Sequence, residues 1–518
     1  AGGSNILSGK TMLFADESIG SQLNPLRTTV GSLEGQATSG SVWIHNTGAV
    51  NVGGVSSGAA GLTAGDDVLI LASSPVTVSE SIQLTGPGGL RIVASPDANS
   101  DDNILIKSGV RLTTSDGHIS LEAGDNITLE PNSHIVAGSD SNLNSDLIML
   151  AEANIELGAG ADLSAGRHLD IRAGSDYTQH DANVSSHGSV VVEAADTATF
   201  AQGSELAVST NATLVAGNSL YINDNSEILV GGILDMHIDA YRSDSGEVIT
   251  EQPDAGSGGL LQLEGNVVAT LLNITGYSEA DALLLQGINV DTPTNIQTRG
   301  GADHILVNKI AANSPMSIFT GDQSDYIYVG SNATFTPTTV FPIMHTGGHV
   351  NDLNDLLTIN MGTGVADTII LDETGEEGSE QNSYVTATSI RGMGMFPHEG
   401  ADDSTGGILY SNVEMLDINL GHASDQVFVR STSEATTTNI RTALGADNNI
   451  FVGSELLPGD STLNHIAGSL RLFGAPAHDV VWLHDHADTL NNQGELTENT
   501  ITGLGIGSTK SIEYYGID

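Results

Sequence analysis

The chain has 518 residues, no cysteine, and 15 Lys plus Arg against 64 Asp plus Glu, a formal net charge of −49. That balance excludes a phosphate-tracking surface, which needs clustered cations, and the missing cysteine excludes disulfides, thiolate metal sites and cysteine nucleophiles. With 62 Gly but only 10 Tyr, 9 Phe and 2 Trp, the chain can fill a long, narrow aliphatic core and not a thick one.

Residues 1–66 read as an irregular N-terminal β region or cap, with the best strand signals at Val42/Ile44 and Val50/Val52. The opening "AGGSNILSGK" has neither the charged nor the apolar segment of a signal peptide. Beginning at Ala, the chain reads as a processed product or an excerpt. No run approaches 18 apolar residues, so no membrane insertion is expected.

Residues 67–240 read as regular β-helix coils, with the clearest period from about 116 to 240. Ala123, Ala151, Ala173, Ala194 and Ala216 each follow an apolar alternation such as Ile119/Leu121 or Leu169/Ile171. A second track holds Ile127/Leu129, Ile155/Leu157, Tyr177, Ala198/Phe200 and Leu220/Ile222. A third holds Ile135, Leu163, Val184, Leu206 and Ile228. After one insertion near "SDSNLNS", every track steps by 21 or 22 residues. Alternation of period two means strands, and three tracks at one period mean three short strands per coil. The predicted fold is an all-β, right-handed parallel β-helix, a β-solenoid of about 22 residues per coil, its coils stacked about 4.8 Å apart.

Residues 241–259, "YRSDSGEVITEQPDAGSGG", read as a polar loop or seam. Residues 260–518 are expected to be coils with longer insertions. "TNIQTRGGADHILVNKI" (294–310) returns as "TNIRTALGADNNIFVGS" (438–454), and "NTITGLGI…KSIEYYGID" echoes "TSIRGMGM…GGILYSNVE". The last copy stops mid-repeat. Ile512, Tyr514 and Ile517 are therefore candidate contacts with more protein, either the continuation of the same chain or a second copy docked head to tail.

The stretches "NPLRTTVGSLEGQATSGSVWIHNTGAVNVGGV" (24–55) and "GHISLEAGDNITL" (117–129) resemble the filamentous-haemagglutinin-like β-helix segments of giant bacterial surface adhesins. The cassette "VEMLDINLGHASDQVFV" resembles the C-proximal repeats of the same large secreted proteins. The resemblance implies an extracellular stalk or fibre-forming segment with an adhesive role, cell-surface glycans or receptors as its partners, and no catalytic motif.

Asp303, Asp325, Asp425 and Asp447 each precede a strand, which suits calcium at coil corners, although no cofactor is required. The competing reading is an Asx turn, the carboxylate accepting a backbone N–H. His478, His484 and His486 with Asp479, Asp485 and Asp488 suit a zinc or copper pair or plain surface decoration. His345 and His349 are a weaker pair. Thr runs at 333–340 and 433–442 read as β-propensity, and the sequons at Asn126, Asn211, Asn273 and Asn332 matter only in a glycosylating pathway. Arg91, Arg111, Arg167, Arg172 and Arg242 look scattered. That speaks against a lyase groove, so the alternative, a glycan-binding or glycan-degrading β-helix, ranks second and no enzyme is expected.

Overall fold

The structure is a computed structural model. It describes all residues except 1–3, 58–60, 96–100, 139–143, 243–248, 252–257, 290, 334–345, 381, 397–405, 445–446, 456–457, 476–478 and 518. His345, His478, most of the 241–259 seam and the Thr run at 334–340 lie outside the described residues. The fold is all-β and its ladders are mostly parallel, as a β-solenoid requires. Two compact units divide the chain: residues 1–253 with 265–270, and residues 254–264 with 271–518.

Unit 1 has three strands per coil, each stacked in register on its counterpart in the next coil. One ladder runs through Leu90–Ala94, Ile119–Ala123, Leu147–Ala151, Leu169–Ala173 and Val190–Ala194. It places the alanines of the first track directly over one another. The second ladder includes Ile127–Leu129, Ile155–Leu157 and Tyr177–Gln179, and the third includes His134–Ala137, Asp162–Ala165 and Asn183–Ser186. Most inward side chains are aliphatic and fully buried, among them Ile155, Leu163, Leu206 and Ile228, with Tyr177 and Phe200 stacked in the same interior. Aliphatic rows stacked this way exclude water along the whole axis, and hydrophobic burial is the main term holding the coils.

The N-terminal region is more regular than its composition suggests. Ile6–Ala15 pairs along its length with Leu26–Ala37. The latter, a twelve-residue strand, passes under all three strands of the next coil, pairing in turn with Val42–Asn46, Val50–Val52 and Leu62–Ala64. At its other end, the unit's first ladder closes on Ile233–Ile238. Asp239, at a positive φ of 55°, turns the chain out into an antiparallel hairpin of Ala240–Arg242 with Ile249–Glu251.

Unit 2 starts on the 22-residue step, as from His304 to Tyr326. It then lengthens the step, to 42 residues from Tyr326 to Thr368 and 47 from Thr368 to Met415, and it builds its coils differently. Two strands recur, as in Thr294–Gln297 with His304–Val307 and Met316–Phe319 with Tyr326–Val329. The third side shrinks to single bridges, Ile310 with Leu353 and Thr432 with Ile466. Glycines set the corners: at Gly301 and Gly321, both at positive φ, a Cβ would fall 2.0 Å and 1.6 Å from a carbonyl oxygen of the coil beneath. Only glycine lets the rungs approach that closely.

Candidate functional site

Asp303 and Asp325 lie in one stack at the corner before the strands Ala282–Leu285, His304–Val307, Tyr326–Val329 and Thr368–Asp372. The stack contains Asp281, Asp303, Asp325 and Asp367 and ends at Glu414. Each carboxyl reaches back one rung to accept a backbone N–H. Asp281 N donates to Asp303 Oδ1, Asp303 N to Asp325 Oδ1 and Asp325 N to Asp367 Oδ1, each at 2.9 Å. Asp367 N donates to Glu414 Oε2 at 3.0 Å. The Asx-type role therefore operates between coils and not within a turn.

These side chains are almost wholly buried: Asp303 is 0 %, Asp325 1 % and Asp367 0 % exposed. Burial pushes Asp303 up to about 7 and Asp325 to about 6, and also raises Asp367. The second oxygens, Oδ2 of all three, are buried and meet no donor.

Asp425 belongs to a second stack, at the corner before Gln426–Val429, Asn449–Val452 and Val480–Leu483. Glu380 N donates to Asp425 Oδ1, Asp425 N to Asn448 Oδ1, and Asn448 N to Asp479 Oδ1. Burial raises Asp425 to about 6. The fourth candidate, Asp447, is exposed, and Asn448 takes the stacked position. An extra residue shifts the register: Gln426 pairs with Asn449, 23 positions on. Counting by 22 therefore chose the wrong neighbour.

Among the described residues, no group of three or more acidic or histidine side chains is arranged to hold a metal ion. His484 sits against the Phe451 ring at 5.9 Å while His486 is exposed, so the two do not share an environment. His349 lies on another part of the unit, its N–H given to Ser331 Oγ. Ile512 is fully buried, in register with Leu470, and faces this unit's own core. Tyr514 is half-buried and its hydroxyl donates to the Thr497 carbonyl; Ile517 is half-buried too. The more exposed apolar side chains nearby are Trp482, Leu496 and Tyr515.

Two further features emerge only in three dimensions. In unit 1 the hairpin carries Arg242 back over the outer face, where its Nη1 donates to Asp170 Oδ1 at 2.8 Å and its backbone N to Glu193 Oε1 at 2.9 Å. Arg172 joins the cluster 3.3 Å from Asp170 Oδ2. Arg172 and Arg242, scattered in sequence, thus meet, because the hairpin spans several coils. Beside them runs a groove of about 540 Å³, lined by Ala123, Ala151 and Ala173 together with Glu122, Glu152, Arg172, Glu193 and Arg242. In unit 2, Tyr384, Phe428, Phe451 and Trp482 form an outward aromatic column with ring centroids 5.4, 4.8 and 6.3 Å apart. Phe428, Phe451 and Trp482 recur at the third position of successive strands, a signal the sequence carried, and Tyr384 stacks on Phe428 from the second position of Ser383–Val385.

No family model, curated protein or solved structure matches this chain. The Asn126 sequon is committed to structure: Asn126 Oδ1 accepts both the N–H and the Nδ2 of Asn154. Asn211 likewise accepts the Ile233 N–H. Thr436 gives its hydroxyl to the Val413 carbonyl, so that Thr run serves the coil.

Proposed function

We propose that the chain is an extracellular structural segment of a large bacterial surface protein, a stalk or fibre-forming β-solenoid with an adhesive role. The observation that supports this most directly is the interior. In both units the inward rows are mostly aliphatic, with a few buried aromatics such as Tyr177, Phe200 and Tyr328, and the buried Asp and Asn stacks of unit 2 stitch coil to coil. Such a chain transmits load through parallel ladders and keeps an acidic, self-repelling exterior. The likeness of its motifs to filamentous-haemagglutinin segments points the same way.

Some edges are open to a further strand. Among the described strands, Ile6–Ala15 pairs only with Leu26–Ala37, and Val480–Leu483 only with Asn449–Val452. Such edges template β-addition, by more of the same polypeptide or by a second copy. Antibody raised to this chain should label intact cells, and deleting the gene should weaken attachment or matrix formation. Labelling confined to lysed cells would overturn the reading.

The alternative, a glycan-binding solenoid, draws on the unit 1 groove. Its mixed Arg and carboxylate lining offers paired donors and acceptors to sugar hydroxyls. Its net charge is not positive, so it suits neutral glycans better than uronates. Glycan-array binding that disappears in Arg242→Ala would favour this reading over a purely mechanical one.

A further inference from the structure

We propose that Asp303, Asp325 and Asp367 are a proton-binding stack: they join the rungs of unit 2 as un-ionised carboxylic acids, and the corner loosens when those protons leave. The inference does not depend on the adhesive reading.

Hydrogen-bond accounting comes first. Each Oδ1 in the stack already accepts an N–H or lies against backbone, while each Oδ2 is buried without a donor. An ionised carboxylate only accepts, so its second oxygen would hold buried charge with nothing to stabilise it. A proton on Oδ2 turns that oxygen into a donor. Hydroxyls stand beside it: those of Thr298 and Thr320 neighbour Asp303 and Asp325, and turned toward the carboxyls they would donate and offset part of the upward push of burial. Each also reaches a carbonyl, that of Thr320 at 3.2 Å and of Met361 at 2.9 Å, and can give its proton there instead. In that orientation the hydroxyl oxygens are free to receive one. The relay would run from carboxylic acid to hydroxyl to the next rung's carbonyl.

Surrounding charge acts in the same direction. Asp325 faces Asp303; Asp367 and Asp322 face Asp325; Glu414 faces Asp367. The adjoining His304 is neutral, its pKa lowered to about 4 by burial, and packs on the Tyr326 ring. The nearby cation, Arg299, is exposed and lies over the Tyr277 ring.

The molecule also contains an isostere of the proposed state. In the second stack Asn448, wholly buried, accepts the Asp425 N–H through Oδ1 and donates through Nδ2 to Asp479 Oδ1. A carboxamide there does what a protonated carboxyl would do: one oxygen accepts and the other arm donates.

The direction of the pH effect follows. An unfolded Asp releases its proton near pH ~4. The folded stack keeps its protons to about 6 at Asp325 and about 7 at Asp303. Between those limits the folded state binds more protons, so stability is fullest at the acidic end and falls as pH rises to about 7.

The test compares the full chain with Asp303→Asn/Asp325→Asn by infrared spectroscopy at pH 6, where ordinary Asp and Glu are ionised. The wild type should show the carbonyl stretch of un-ionised carboxylic acids, including a part contributed by Asp425 and by Glu373, a carboxyl of unit 2 that is 2 % exposed and that burial pushes up to about 9. The double variant should lose a share of it, while Asp447→Asn, exposed and outside the stack, should lose none. From pH 5 to pH 8 the unfolding equilibrium of unit 2 should shift roughly tenfold or more in the wild type, and by less in the variant. If the variant's band is undiminished, or the wild type has none, the proposal is overturned whatever the unfolding curves show. Should the double variant not fold, each single substitution gives the same readout.

Discussion

The two units solve one backbone problem with two chemistries. In unit 1, a corner before the second ladder is stitched by Asn103, Asn126, Asn154 and Asp176. Asn126 N donates to Asn103 Oδ1, Asn154 N to Asn126 Oδ1 and Asp176 N to Asn154 Oδ1. In unit 2 the equivalent task falls to Asp281, Asp303, Asp325 and Asp367. The asparagines are half-exposed or exposed and the aspartates buried. An ionisable group is thus placed where solvation is poorest, and on the proposal above this gives unit 2 a pH sensitivity that neutral amides in partial solvent do not confer. The direction of reach differs too: the asparagines accept from the following coil, the aspartates from the preceding one.

The largest break should be common to both units. Ile155→Asp in unit 1 and Ile305→Asp in unit 2 each put a carboxylate where exposure is 0 %. Each should cost about 4 kcal/mol or more and lower amide protection over neighbouring coils, because no partner exists in an aliphatic row. Glu156→Asp, on the outward face beside Ile155, should stay within about 0.5 kcal/mol. If the inward and outward changes behave alike in denaturant unfolding, the assignment of faces fails.

Removing a stitch should then separate the units. Asp303→Ala leaves the Asp281 N–H buried without an acceptor, at about 1–3 kcal/mol. Asn126→Ala leaves the Asn154 N–H near solvent and should cost less than about 1 kcal/mol, since water can substitute. Hydrogen exchange at the amides of Asp281 and Asn154 reads the difference; equal acceleration at both would refute it.

Adding charge to the neutral rung sharpens the same contrast. Asn448→Asp would set a third buried carboxyl between Asp425 and Asp479. Burial and two acidic neighbours should raise its pKa, so its stability contribution is kept at acidic pH and lost as pH rises. The expected cost is about 2 kcal/mol at pH 8 and little at pH 5. Unfolding midpoints at the two pH values decide it, and a cost that does not depend on pH would count against the argument.

Much of the architecture was readable from the chain because burial in a solenoid repeats. Ile155, Leu163, Leu206 and Ile228 are inward for the same reason that they recur at 21 or 22 residues. What escaped was whatever depends on breaking that period. The single extra residue before Asn449 moved the stitch from Asp447 to Asn448. The hairpin from Ala240 carried Arg242 to Asp170, 72 positions back. Residues 6–37 lack a repeat because two long strands there replace a coil, so no period existed to detect. Ile512 was legible as an inward residue, but the sequence did not tell this unit's core from a partner's.

The outer faces differ as well, and they set the smallest expected effect. Unit 2 decorates a ladder with the Tyr384–Phe428–Phe451–Trp482 column, and unit 1 with ion pairs such as Arg91 and Glu122, 2.8 Å apart. Phe451→Ala should cost about 1 kcal/mol, because stacked rings add to the apolar area they cover. Ring faces in the column are turned to one another, so the solvent meets mostly edges. That makes the column a brace between coils more than a platform for sugars. Arg91→Ala should cost no more than about 0.5 kcal/mol. The Arg91 side chain is 55 % exposed, so solvent screens the attraction, and fixing two long side chains offsets what remains. The pair holds Glu122 below the usual carboxylate range, so any benefit should vanish as pH falls through the pKa of Glu122. It should shrink in high salt too. A salt-insensitive loss well above 1 kcal/mol in Arg91→Ala would mean that its alkyl stem packs on the ladder, and the contrast between an electrostatic face and an aromatic one would have to be abandoned.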